Sequence, residues 1–102
     1  MKTIKTGTVL KNFNGDNLKN GDEDLTIGFV ISNVLGGKVS NPTLGWILGK
    51  KFATEKEVDL KAEEMVFIKE ELKKPETNWL AITTGQVLEI LEAKDEKDEK
   101  KK

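Results

Sequence analysis

The chain contains neither cysteine nor histidine. Without cysteine there is no disulfide framework, no thiolate nucleophile and no cysteine-ligated zinc or iron–sulfur site. Without histidine, the usual general base near neutral pH and the commonest transition-metal ligand are both missing. Carboxylates, lysines and hydroxyls are left for any chemistry. Catalytic sites favour the missing groups, so the expectation is a protein that is not an enzyme and that uses no cofactor and no metal. Long apolar runs are also lacking. No stretch approaches the roughly 20 apolar residues of a membrane helix, and the opening "MKTIKTGTVL" has no apolar segment of signal-peptide length. Both absences predict a cytoplasmic protein with no membrane partner.

An excess of positive charge is missing too. There are 17 Lys plus Arg against 18 Asp plus Glu, for a formal net charge of -1. The last nine residues, "KDEKDEKKK", hold five positive and four negative charges, so residues 1–93 carry -2. Nucleic-acid binding needs a basic patch to neutralise phosphates, and no window before the tail is strongly basic, which disfavours that role. The 102 residues, 36% apolar and 34% charged, suit one small globular domain with a charged surface.

Residues 4–13, "IKTGTVLKNF", have the Thr, Val, Ile and Phe density of a strand and run into the turn signal Asn14-Gly15. Asn20-Gly21 is a second such signal, so residues 7–24 read as a β-hairpin or extended arm. Asp24 stands where an N-cap is expected for a buried helix over 25–35 that stops at Gly36-Gly37. Asn41 as N-cap and Pro42 at the first helical position open a second helix over 42–53. The connector 54–60 has room for a short extended piece. "KAEEMVFIKEELKK" follows as an amphipathic helix with Met65, Ile68 and Leu72 on one face. Glu63 and Glu64 in its first turn and Lys73 and Lys74 in its last complement the helix dipole, and Pro75 ends it. Thr77 or Asn78 can cap a fourth helix, "WLAITTGQVLEILEA", whose Leu80, Val87 and Leu91 share a face. The predicted fold is mainly α, within the small α+β class: a short N-terminal strand or hairpin followed by about four helices packed as a compact bundle. Residues 1–93 form the single domain (1–24 the arm, 25–93 helical), and 94–102 form a charged, disordered tail.

One phrase, Thr-x-Gly-x-aliphatic-aliphatic, occurs as "TIGFVI" at 26–31, "TLGWIL" at 43–48 and "TTGQVL" at 83–88. Its first two copies read as helix starts and its third as a packing notch at Gly85. The ligand-binding alternatives fail on spacing. In "NFNGDNLKNGDED" a calcium loop starting at Asp16 puts Leu18 and Ile27 at ligand positions, and one starting at Asn12 puts Asn17 where the turn Gly is needed, so both registers fail. "GWILGKK" puts Gly45 and Gly49 too close for a phosphate loop and fills the gap with bulky side chains. The same two glycines do lie one turn apart on one helical face, a spacing that admits close approach of another backbone or ring. Trp46 and Trp79 are either core anchors or exposed hot spots, and with six aromatics in the chain core use is the expected reading. Gly45, Trp46, Gly49, Trp79 and Gly85 are therefore the candidate protein-binding or close-packing residues.

"FNGDNL", "EDLTIGFVISNVL", "VDLKAEEMVFIKEEL" and "TGQVLEILE", in that order, resemble a family of small proteins of about a hundred residues from tailed bacteriophages and prophages. The likeness covers most of residues 12–92. This chain departs from the family at Lys61, where a capping Thr is usual, and Asp59 is the alternative cap. The resemblance implies a bacterial host cell and a phage context but no mechanism. With no catalytic groups, the expected role is protein–protein binding by an accessory protein that inhibits a host factor or host defence system. The alternative is a virion structural or assembly component, such as a head or tail adaptor or an assembly chaperone. A nucleic-acid-binding regulator ranks third. The expected partner is a protein of host or phage, with a homodimer as a further option.

Overall fold

Strand-forming residues at the N-terminus find their partner far along the chain. In the computed structural model, which describes residues 2–77 and 79–93, β1 (Lys2–Lys5) pairs antiparallel with β4 (Glu57–Leu60). Ile4 lies opposite Val58 in this register. Side chains alternate across a strand, so Ile4, Val58 and Leu60 are all buried while their neighbours stay outside. β4 is the extended piece expected in the 54–60 connector.

The arm is a separate small device. β2 (Lys19–Asn20) and β3 (Glu23–Asp24) form a hairpin whose turn uses Gly21 at φ 67. Three leucines tie the arm together through the backbone: Leu18 N–H donates to Leu10 C=O, Leu10 N–H to Leu25 C=O, and Leu25 N–H to Leu18 C=O. Leu10 and Leu25 are thereby anchored in the core.

Four helices follow: α1 (Ile27–Leu35), α2 (Pro42–Thr54), α3 (Ala62–Leu72) and α4 (Ala81–Glu92), with a 3-10 turn at Pro75–Thr77 between the last two. These helices and the small antiparallel sheets place the chain in the α+β class. α1 is the hub. Ile27, Val30, Ile31, Val34 and Leu35 are buried on it, against α2 on one side and α3 on the other, while α3 in turn contacts α4. Leu48 and Phe52 of α2, Ile68 and Leu72 of α3, and Val87 and Leu91 of α4 complete the core. Burying each such side chain contributes roughly 1.5–3 kcal/mol before entropy is counted.

Three expected helix starts need correction. Thr26, not Asp24, caps α1, its hydroxyl accepting the Phe29 N–H at 3.2 Å. Asp24 is committed elsewhere, in β3 and in an ion pair with Lys19 at 2.6 Å. Asp59 does not cap α3, because it lies in β4 and accepts a hydrogen bond from the Thr3 hydroxyl. Lys61 takes the N-cap position there, its own N–H satisfied by Glu64 at 2.8 Å. α4 begins later than expected, with Leu80 at the N-cap and no side-chain cap bond. Leu80 is consequently 72% exposed rather than on the buried face with Val87 and Leu91. Asn41 and Pro42 do open α2, Asn41 accepting the Leu44 N–H at 3.1 Å. Asn78 and the charged tail expected at 94–102 lie outside the described residues.

Candidate interaction site between the first two helices

Gly45 and Gly49 allow α2 to approach the end of α1. A Cβ on Gly45 would stand 2.8 Å from the Leu35 carbonyl oxygen and 2.8 Å from Val39 Cγ2; one on Gly49 would be 3.4 Å from Leu35 Cβ. The small-xxx-small spacing is therefore used inside the molecule.

The same lack of side chains leaves a depression beside that contact, a groove of about 380 Å³. Gly45 and Gly49 form part of its lining, Phe29, Ser32 and Asn33 come from α1, and Trp46, Lys50 and Ala53 come from α2. Trp46 is 69% exposed and Phe29 41% exposed. Lys50 Nζ stands 5.9 Å from the centroid of the Trp46 ring, within range of a cation–π contact worth about 0.5–1 kcal/mol at an exposed site.

Trp79, in the link between the 3-10 turn and α4, braces this surface from the α1 side. Its indole N–H donates to Asn33 Oδ1 at 3.1 Å, and its ring meets Phe29 edge to face, with centroids 6.2 Å apart and planes at 89°. Asn33, itself part of the groove lining, is thus fixed by Trp79. Gly85 is not part of this arrangement. It is exposed on α4, and a Cβ there would meet nothing within 4 Å, so no close crossing exists at that point.

Phe29 and Lys50 escaped the sequence reading. The signal for Phe29 was present: Phe29, Ser32 and Asn33, with the C-cap Gly36, recur at 3-and-4 spacing on the face of α1 opposite its buried residues, and Lys50 stands one turn after Trp46 on α2. The apolar character of "TIGFVIS" hid that stripe.

A second cavity, of about 660 Å³, lies on the far side of Asn33 and includes Gly37, Lys38, Glu71, Lys74 and Thr77 in its lining. Glu71 is only 2% exposed. Its carboxylate is satisfied by the Ser40 hydroxyl and by Lys74 Nζ, each at 3.0 Å, which is what a buried charge requires. These bonds tie the 36–41 connection to the end of α3. They give the carboxylate a structural task.

Among the described residues no cluster of three or more Asp or Glu is placed to hold a metal ion, and no helix is long and apolar enough to cross a membrane. Scans of the chain against protein-family models, curated proteins and solved structures each return no match.

Proposed function

We propose that this chain is a non-enzymatic protein-binding module that docks a protein partner through the groove between α1 and α2. One observation carries the reading: Trp46 and Phe29 are held in the open around a glycine-lined depression. Exposed aromatics anchored beside a pocket are the side chains that dominate protein interfaces. Phe29 is backed by the Trp79 ring, Asn33 is held by the Trp79 indole N–H, and the Leu35 carbonyl sits against the glycine side of α2. Ordering this wall in advance lowers the entropy lost there on binding.

The likeness to small phage and prophage proteins supplies the context. In that setting the module is an accessory protein that occupies a host factor or a component of host defence. The test is capture from bacterial lysate with the full chain as bait, alongside Trp46→Ala. A stoichiometric protein partner retained by the parent chain and weakened at least about tenfold by the substitution is the expected result. Recovery of no partner, or of one indifferent to Trp46, would sink the proposal. Mass spectrometry of purified particles separates it from a virion component, which would be present at fixed copy number.

A further inference from the structure

The most exposed large apolar side chain among the described residues is Phe13, at 93%. It sits on a rigid tip. Asn12 Oδ1 accepts the N–H groups of Asn14 at 2.9 Å and Asp16 at 3.0 Å, Asn12 N–H donates to Asp16 C=O at 2.8 Å, and Gly15 closes the turn at φ 90. The root of the tip is clamped as well. The Gln86 side-chain amide on α4 brackets the Lys11 backbone, its Oε1 accepting the Lys11 N–H at 2.8 Å and its Nε2 donating to the Lys11 C=O. Among the described residues, the packing leaves the Phe13 ring almost wholly uncovered.

Charge divides along the same line. Residues 7–24 carry Asp16, Asp22, Glu23 and Asp24 against Lys11 and Lys19, whereas residues 25–54 carry Lys38, Lys50 and Lys51 and no carboxylate at all. A knob on an acidic arm and an aromatic groove on a basic helix pair are thus present in one chain.

We infer that the α1–α2 groove receives the Phe13 turn of a second copy of this chain. At about 380 Å³ the groove is near the lower end of the roughly 300–1,000 Å³ span of ligand pockets, suited to one inserted side chain rather than to a whole helix. Phe29 and Trp46 offer ring faces and edges to an incoming phenyl group, and Lys50 meets the acidic arm behind it. Knob and groove are different patches of the same chain. Two-fold pairing uses each twice; a rotation that does not close gives a chain of copies instead. The inference uses the groove described above but needs no foreign partner.

Sedimentation equilibrium of the full chain from about 10 μM to about 1 mM tests it. The expected result is a mass that rises with concentration from the 11.4 kDa monomer and rises less at high salt. Phe13→Ala and Trp46→Ala should each weaken association at least about tenfold while leaving the circular dichroism spectrum unchanged, both side chains being exposed. Mixing the two variants is the decisive arm. Trp46→Ala still has the knob and Phe13→Ala still has the groove, so the mixture should associate more strongly than either alone, which general stickiness would not produce. A parent chain that stays monomeric throughout, association indifferent to Phe13, or a mixture no stronger than its components would each overturn the inference. A monomer that still captures a lysate protein would sink self-association alone. A dimer that captures nothing would sink the partner proposal alone.

Discussion

Two regions of the molecule use the same Thr-x-Gly wording under opposite conditions. In the α1–α2 pair, a Cβ on Gly28 would lie 2.8 Å from Thr6 Cβ and 2.9 Å from the carbonyl oxygens of Thr6 and Phe52, and one on Gly45 would strike the Leu35 carbonyl at 2.8 Å. In α4, a Cβ on Gly85 would meet open space. Glycine inside a helix costs about 1 kcal/mol relative to alanine, so it is worth its cost only where another chain segment comes close. The first region meets that condition and the second does not.

Alanine substitution breaks the comparison most sharply. Gly28→Ala should destabilise by about 3 kcal/mol, because the obstructing Thr6 carbonyl is itself fixed by the Gly28 N–H at 3.0 Å and β1 would have to move. Gly45→Ala should cost about 2 kcal/mol, since the Val39 side chain can shift and one backbone carbonyl, that of Leu35, obstructs the Cβ where two obstruct it at Gly28. Gly85→Ala should stabilise by roughly 0.5–1 kcal/mol. Urea unfolding measures all three. Equal effects at Gly45 and Gly85 would mean that the α1–α2 contact is looser than these distances require.

Helix starts differ between the same regions, by a smaller margin. Thr26 and Asn41 cap α1 and α2 through side-chain oxygens, whereas Lys61 and Leu80 at the starts of α3 and α4 make no such bond. Thr26→Ala should therefore cost about 1 kcal/mol. The uncapped start should respond in the other direction. Leu80→Asp supplies the missing acceptor at a position that is 72% exposed and should raise stability by about 0.5–1 kcal/mol in the same unfolding assay. No gain at Leu80 would imply that the Thr83 N–H, which already donates to the Leu80 C=O at 2.9 Å, gains nothing from a second acceptor.

That asymmetry also explains what could be read from the sequence. Asn41-Pro42, Asn20-Gly21 and Asn14-Gly15 carry their geometry in adjacent residues, and each marks an element boundary or turn as expected. The β1–β4 pairing joins segments more than fifty residues apart. Local propensity shows two extended pieces without showing that they meet. For the candidate site, the one-turn spacing of Gly45 and Gly49 was legible in the sequence, whereas the exposure of Trp46 was not, since a core place was expected for it. Phe29 and the Asn33–Trp79 bond were not, since they depend on how α1 is rotated in the core and on where the 3-10 turn delivers Trp79. Gly85 misled because glycine spacing says that a close approach is permitted and never that it occurs.

The smallest expected effect concerns Asp24, and it tests the start of α1 directly. The hydrogen bond from Lys19 holds the Asp24 carboxyl below its ordinary value of 3.8, outweighing the burial that pushes it up, with Asn17 helping. A carboxyl whose folded value is depressed adds stability that is fully present above 3.8 and is lost as pH falls through the lower, folded value. This contribution to the arm should therefore persist down to pH 3.8 and fade below it. Lys19→Met removes the leading cause, so the Asp24 titration followed by NMR should move up toward 3.8. If Asp24 rather than Thr26 capped α1, backbone N–H groups would hold the carboxylate and the lysine substitution would leave its titration where it was.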